Sequence, residues 1–231
     1  MIEYLVETGS TNADLLARLR AAECVGEGSW LVADRQMAGR GRRGRTWCDG
    51  AGNFMGSTVV RLAPGDPPAA SLALVAGLAL HETVASLLPS HSPTLKWPND
   101  LLVGSAKIAG ILIEAEDRAV VVGIGVNLAH APDVPDRETV SLVSLGAEIG
   151  RNAFAEHLAA TFTRDLERWR GFGLGPVISR WMTAGHAVGT TLRLEDGRAG
   201  AFAGLDDTGA LQLRLPDGTT RTVHSGEVNL G

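Results

Sequence analysis

The 231-residue sequence predicts an α+β fold: a β-sheet domain with flanking helices over residues 1–185, then a small β-barrel over residues 186–231. Up to Gly185, segments with helical apolar spacing alternate with short β-rich runs. Beyond it, brief β-like stretches are punctuated by turn signals at Asp196-Gly197, Asp207 to Gly209 and Asp217-Gly218, the spacing of a small barrel. A hydrophobic content of 45% is enough for a core that needs no covalent staples.

The elements follow in order. Thr8 to Asn12 carries helix-capping residues, and the leucines of Ala13 to Arg20 fall on one face, so a helix starts near Asn12. Trp30 to Ala33 reads as a strand, and Asn53 to Leu62 as another. Between Ala69 and Leu88, Leu72, Val75, Ala76, Ala79, Leu80, Thr83 and Val84 give a buried alanine-rich helix. His81 and Glu82 interrupt it, which argues for a core helix in a soluble protein rather than a membrane span. Leu95 to Trp97 leads into Pro98-Asn99-Asp100, then a hairpin of Leu101 to Val103 with Lys107 to Ala115, then a strand over Ala119 to Leu128. A polar loop at Ala131 to Glu138 precedes two helices, Asn152 to Arg170 and Pro176 to Thr183.

The formal net charge is −5, which excludes the broad basic field of a general nucleic-acid or membrane-surface binder. Cys24 and Cys48 form no CxxC pair or zinc-ligand spacing, the six histidines make no HxxxH or HExxH pattern, and no metal-ligand set is expected. No secretory leader is evident, so a reducing cytoplasm is the expected compartment.

Against this acidic background, residues 39 to 47 (Gly-Arg-Gly-Arg-Arg-Gly-Arg-Thr-Trp) place four arginines and three glycines in nine positions. Glycines let a backbone approach a ligand closely, guanidinium forks match phosphate or carboxylate oxygens, and Trp47 offers a flat face. The stretch satisfies GxGxxG, but a dinucleotide fold needs its last glycine to open a helix, and here Trp47, Gly50 and Gly52 follow with no helix period. A GxxxxGK[ST] phosphate loop is absent.

The motifs combine in a recognisable order: Ser10-Thr11-Asn12, Gln36 and GRGRRGRTW, KWPND at 96–100, KIAGILIE at 107–114, and GIGVN at 123–127. In content, order and spacing the chain resembles the biotin protein ligases. The resemblance implies a mixed β-sheet catalytic domain related to that of lipoate ligases, followed by the small barrel. It also implies a two-step reaction, in which biotin and ATP, with Mg²⁺, give biotinyl-5′-AMP and pyrophosphate. A lysine of a biotin carboxyl carrier protein domain then takes the biotinyl group.

By the same resemblance, Lys107, Arg42 and Asp100 are the catalytic residues. Ser10, Thr11, Gln36, Gly39, Arg40, Gly41, Arg42, Lys107, Gly110 and Leu112 are expected to hold biotin, the first three at its ureido ring and Gly110 and Leu112 along its valeryl chain. Arg42, Arg45, Trp47, Asn99, Lys107 and Asn127 are expected to hold ATP. Asp100 is expected to orient the incoming lysine amine, whose ordinary pKa of about 10.4 leaves little neutral form at pH 7. Some family members carry an N-terminal DNA-binding domain. Here the motifs begin by Ser10, so no repressor role and no nucleic-acid or membrane partner are expected, while a homodimer through a sheet edge is possible. The nearest alternative reading is a lipoate or octanoate ligase or transferase. The residues after Trp47 lack the proline expected of the family at this turn.

Overall fold

The computed structural model describes residues 1–231 except 49 and 136. Asp49, two residues after Trp47, and Asp136, within the expected 131–138 loop, therefore lie outside the described residues. The first unit is a seven-stranded sheet in the order β1-β2-β3-β7-β6-β5-β4. Its strands are β1 Ile2–Thr8, β2 Trp30–Gln36, β3 Phe54–Arg61, β4 Pro93–Lys96, β5 Asp100–Val103, β6 Ala106–Glu116 and β7 Ala119–Val126. β1 pairs in parallel with β2 and every other neighbour is antiparallel, so the sheet is mixed. Sequence reading missed β1, whose central residues are mostly exposed and give no clean inside–outside alternation.

The two faces of the sheet do different work. On one, Phe54 and Val60 of β3, Ile111 of β6 and Val120, Val122, Ile124 and Val126 of β7 form the main core with three helices. These are α2 Leu72–Leu87, α3 Arg151–Phe172 and α4 Leu174–Ala184. α2 is apolar on nearly all sides because sheet and helices enclose it. The stretch Ala69–Leu87 is long and apolar enough to cross a membrane by composition, but 61% of its most apolar window is buried within the protein, as expected of a core helix. On the other face, helix α1 Thr11–Arg20 presses Leu15 and Leu16 onto Leu31, Val59 and Val121. Residues of that same face further along β3, β6 and β7 are small or polar (Ser57, Gly110, Gly123 and Gly125), and there α1 leaves a hollow.

The second unit holds β8 Thr191–Leu194, β9 Ala199–Leu205, β10 Leu211–Arg214, β11 Thr220–Val223 and β12 Val228–Leu230. They form an antiparallel sheet in the order β11-β10-β9-β8-β12. The expected barrel is barrel-like and open: β11 and β12 are its two edges, and the three residues of β12 pair only with β8. Its apolar side is covered by the first unit instead, with Phe202 packed edge-on against Trp181 of α4 at 6.2 Å. Trp97 donates from Nε1 to the carbonyl of Gly209 at 3.2 Å.

Candidate active site

The hollow between α1, the sheet face and the arginine loop is a cavity of about 310 Å³. Its floor is nearly bare backbone. A side chain at Gly125 would place Cβ 2.4 Å from the Trp47 ring, and one at Gly123 would lie 2.1 Å from Asn12 Oδ1. The two glycines of GIGVN therefore leave the space that the Trp47 indole and the Asn12 carboxamide occupy against β7. Gly123→Ala is expected to destabilise the fold by about 1–3 kcal/mol in denaturant unfolding, as overpacking does, because Asn12 must leave its place.

At one end stand uncharged polar groups. Ser10, the N-cap of α1, makes no side-chain bond to the helix, whereas Thr8 donates from its hydroxyl to Asp14 in the first turn, and Ser10, Thr11 and Asn12 line the cavity. Thr11 donates its backbone N–H to Gln36 Oε1 at 2.8 Å, and its Oγ1 lies 2.7 Å from Ser57 Oγ. Ser57 donates to Asn12 Oδ1 at 2.6 Å, and Asn12 Nδ2 donates to Glu114 at 2.8 Å. Ser10, Thr11, Asn12 and Gln36 are all buried.

At the other end are the cations. The arginine loop joins β2 to β3 as a narrow ribbon, with Gly41 N–H bonded to Arg45 O at 2.7 Å and Trp47 N–H to Gly39 O at 2.9 Å. Its tip is a short 3₁₀ turn, Arg42–Gly44, in which Arg43 takes φ 59°. Arg42 Nη1 donates to Asn99 Oδ1 at 3.1 Å and to the Gly226 carbonyl at 3.3 Å. Arg43 pairs with Glu195 and Arg45 with Glu227. The second unit thus holds the loop through Glu195, Gly226 and Glu227, none of which sequence reading singled out. Single acidic residues and a glycine in short connections carry no signal of their own.

Lys107 reaches this end because β6 carries a bulge. Leu101 pairs with Ala109 but Leu102 pairs with Lys107, so Ile108 is the extra residue. Ile108 and Ala109 both face the core, and Lys107 is turned to the same side as Asp100 and Gly110. Its Nζ lies 2.6 Å from Asp100 Oδ1 and 5.7 Å from the centre of the Trp47 ring. Burial pulls the Lys107 pKa below that of an ordinary lysine; Asp100 opposes the shift, while Arg137 and Arg45 add to it. Burial likewise lowers the Arg42 pKa, again against Asp100. Arg137, on the loop after β7, lies 3.5 Å from Asp100 Oδ2 and lines the cavity. That loop attaches beside Lys107, with Lys107 N–H bonded to Glu138 O and Val140 N–H to Lys107 O.

Among the residues expected at the site, Ser10, Thr11, Gln36, Arg40, Gly41, Arg42, Arg45, Trp47, Asn99, Lys107, Gly110, Leu112 and Asn127 line the cavity. Two do not. Asp100 lies beneath Lys107, 8% exposed. Gly39 closes the base of the loop, where a Cβ would come 2.7 Å from Trp47 O. The two asparagines expected at ATP already use their amides on the protein: Asn99 Nδ2 bonds Ile111 O at 2.8 Å and its Oδ1 receives Arg42, while Asn127 Nδ2 bonds Val140 O at 3.1 Å. In this structure both act as fasteners of the cavity wall. Ser57, Asn12, Gly123, Gly125 and Arg137 were not assigned a place in the site. The two glycines stood within a quoted motif, whereas Arg137 sits in a stretch readable only as a loop.

Comparison with known proteins agrees with this geometry. Residues 8–129 match the Biotin/lipoate A/B protein ligase family, and residues 189–231 match the Biotin protein ligase C terminal domain. The chain is 38% identical to a biotin-[acetyl-CoA-carboxylase] ligase of Paracoccus denitrificans, over 98% of this chain and 99% of that one. It is 33% identical to the bifunctional ligase/repressor BirA of Escherichia coli, over 96% of this chain and 71% of the longer protein. The solved structure of the biotin protein ligase from Aquifex aeolicus in complex with biotin and ATP superposes with a TM-score of 0.86 at 25% identity, covering 100% of this chain and 98% of that one. With a relative at 38% identity along essentially its whole length and both domain models matched, the chain belongs to the biotin protein ligases.

Proposed function

We propose that this chain is an ATP-dependent biotin ligase that activates biotin as biotinyl-5′-AMP and transfers it to a lysine of a biotin carboxyl carrier protein domain. The observation that carries the proposal is one cavity with an uncharged polar end at Ser10, Thr11 and Gln36 and a cationic end at Arg40, Arg42, Arg45 and Lys107. A ligand with a neutral hydrogen-bonding head and an anionic tail fits that polarity, and ATP phosphates meet the tail at the cations.

In the first step a biotin carboxylate oxygen attacks the α-phosphorus of ATP and pyrophosphate leaves. Both reactants are anions, so fixed positive charge lowers the barrier. Arg42 is held for this by Asn99 and Gly226, and Lys107 by Asp100. In the second step the carrier amine attacks the acyl carbon and AMP leaves. Once phosphate draws the Lys107 ammonium away, Asp100 is left to accept a hydrogen bond, and then a proton, from the amine. Mg²⁺ enters as part of the nucleotide substrate: among the described residues no three His, Cys, Asp or Glu side chains gather to form a metal cage. Residues 1–185 make the catalytic unit and 186–231 the appended one.

The exposed free thiols Cys24 and Cys48 suit a reducing cytoplasm. The proposal includes no nucleic-acid or membrane partner. A homodimer would use the outer edge of β1, where Val6 is exposed.

Exchange of labelled pyrophosphate into ATP tests the reading. Exchange is expected with biotin and not with lipoate or octanoate. Exchange driven by either of the other acids and not by biotin would move the chain to the lipoate branch, and no exchange with any acid would leave a binding protein.

A further inference from the structure

Asp100 has to change partners between the two steps without turning. Its oxygens are held by two cations: Oδ1 lies 2.6 Å from Lys107 Nζ, and Oδ2 lies 3.5 Å from Arg137 Nη1. Lys96, opposite Asp100 on β4, and Arg42 lie in the field of the same carboxylate, but among the described residues only Lys107 and Arg137 form ion pairs with it. The proposed reaction draws Lys107 away to phosphate and leaves Oδ1 for the carrier amine. The terminal torsion of an aspartate is broad and two-fold, so a carboxylate that lost both partners would meet the amine at no fixed angle. Arg137 remains on the second oxygen because of the segment that carries it. The loop after β7 is stitched to the backbone of Lys107, which donates its N–H to Glu138 O at 2.9 Å and receives Val140 N–H at 3.0 Å. Arg137 N–H in turn bonds Val134 O at 3.3 Å. A swing of the Lys107 side chain leaves these backbone bonds in place, so the guanidinium stays where the ammonium does not. Arginine also keeps its charge at any working pH, whereas burial lowers the pKa of Lys107.

We propose that Arg137 is a positioning residue for the transfer step: by holding Asp100 Oδ2 it keeps Oδ1 aimed at the incoming amine after Lys107 has left. This rests on the ligase reading above and adds a residue that acts in its second step alone. As the amine nitrogen bonds the acyl carbon, its proton passes to Asp100 Oδ1, and AMP leaves with the electron pair of the broken carbon–oxygen bond. Arg137 touches none of the reacting atoms and works only through the carboxylate. Its 3.5 Å contact is long, as catalytic hydrogen bonds often are before substrates arrive, and it tightens once Lys107 no longer shares the carboxylate.

The test follows two reactions in Arg137→Ala and in the unaltered chain. One is biotin-dependent pyrophosphate exchange; the other is single-turnover transfer from preformed biotinyl-5′-AMP to a purified biotin carboxyl carrier protein domain, at varied carrier concentration. Exchange should stay within about threefold, while transfer at saturating carrier should fall by about 30-fold, the scale of loss when a reacting group is misplaced. Arg137→Lys keeps the charge without the planar fork and should bring transfer back to within about fivefold. In an Asp100→Asn background, Arg137→Ala should slow transfer by no more than about twofold, because a residue that acts through Asp100 then has nothing left to orient. An unchanged transfer rate in Arg137→Ala overturns the proposal. So does an equal or larger loss in exchange, which would make Arg137 a phosphate ligand, or a loss confined to the apparent affinity for the carrier, which would make it a docking residue. A full further loss in the Asp100→Asn background overturns it as well. If the alanine variant does not fold, Arg137→Gln takes its place in every arm. Failure of the unaltered chain to exchange with biotin at all would instead overturn the ligase reading, and this proposal with it.

Discussion

Replacing Lys107 with alanine is expected to slow biotin-dependent pyrophosphate exchange by about 10²–10³-fold, the usual loss when one fixed charge stabiliser is removed from a reacting centre. The side chain is mostly buried, and its ammonium is anchored to Asp100 at 2.6 Å, so it waits at the cationic end without being free to wander. Folding should survive, because Arg137 remains near Asp100 and the alanine leaves a space that opens onto the cavity. A thermal midpoint within a few degrees of the unaltered chain would confirm that the rate is what was lost. The sign of the pH dependence follows from the lowered pKa. The free enzyme should lose its Lys107 charge at lower pH than an ordinary lysine would, so exchange should fall early on the alkaline side. Lys107→Arg, which keeps its charge, should push that alkaline fall upward even if its turnover is reduced. An unchanged rate in Lys107→Ala removes Lys107 from the mechanism.

The second large effect separates the two half-reactions. Asp100→Asn keeps an oxygen that can still receive Lys107, so adenylate formation should drop by less than about tenfold. Transfer to the carrier should drop by about 10²-fold or more, the typical contribution of a general base. Single-turnover transfer from preformed biotinyl-5′-AMP measures the second step alone. In the variant its rate should climb with pH toward the ordinary lysine range, since solvent must then deprotonate the amine. Equal losses in both steps would mean that Asp100 serves only to hold Lys107.

Both predictions rest on residues whose types were readable before their geometry was. The large helices were legible because Leu72 to Val84 and Phe154 to Trp169 repeat at helical spacing, and the sheet later used that spacing as its core. The loop from Gly39 to Trp47 was legible because its composition suits no packed element. Three things were not. β1 is an edge strand whose half-buried and exposed residues follow no two-residue period, so only its parallel pairing with β2 defines it. The hold of Glu195 and Glu227 on the arginine loop joins residues more than 150 positions apart. Ser10, Thr11 and Asn12 carry the local signature of a helix cap, yet tertiary partners at Gln36, Ser57 and Glu114 claim Thr11 and Asn12. Local propensity lost to long-range hydrogen bonding at the very place where the cavity needed polar walls.

The extra residue at Ile108 has a consequence for anyone who would redesign or transplant this hairpin. Counting along β6 by twos from Ile111 puts Lys107 among the apolar residues beneath the sheet, and only the bulge restores it to the cavity. The bulge between Lys107 and Gly110 is therefore as much a part of the candidate site as the lysine itself. Straightening the strand with Ile108 retained would keep every side chain of the site in the sequence, yet it would drive an ammonium into hydrocarbon. Equivalent hairpins grafted from other scaffolds must bring their irregularity with them, and with it a turn in which Gly104 takes φ 62° and Ser105 donates to Glu138 of the loop beside Lys107.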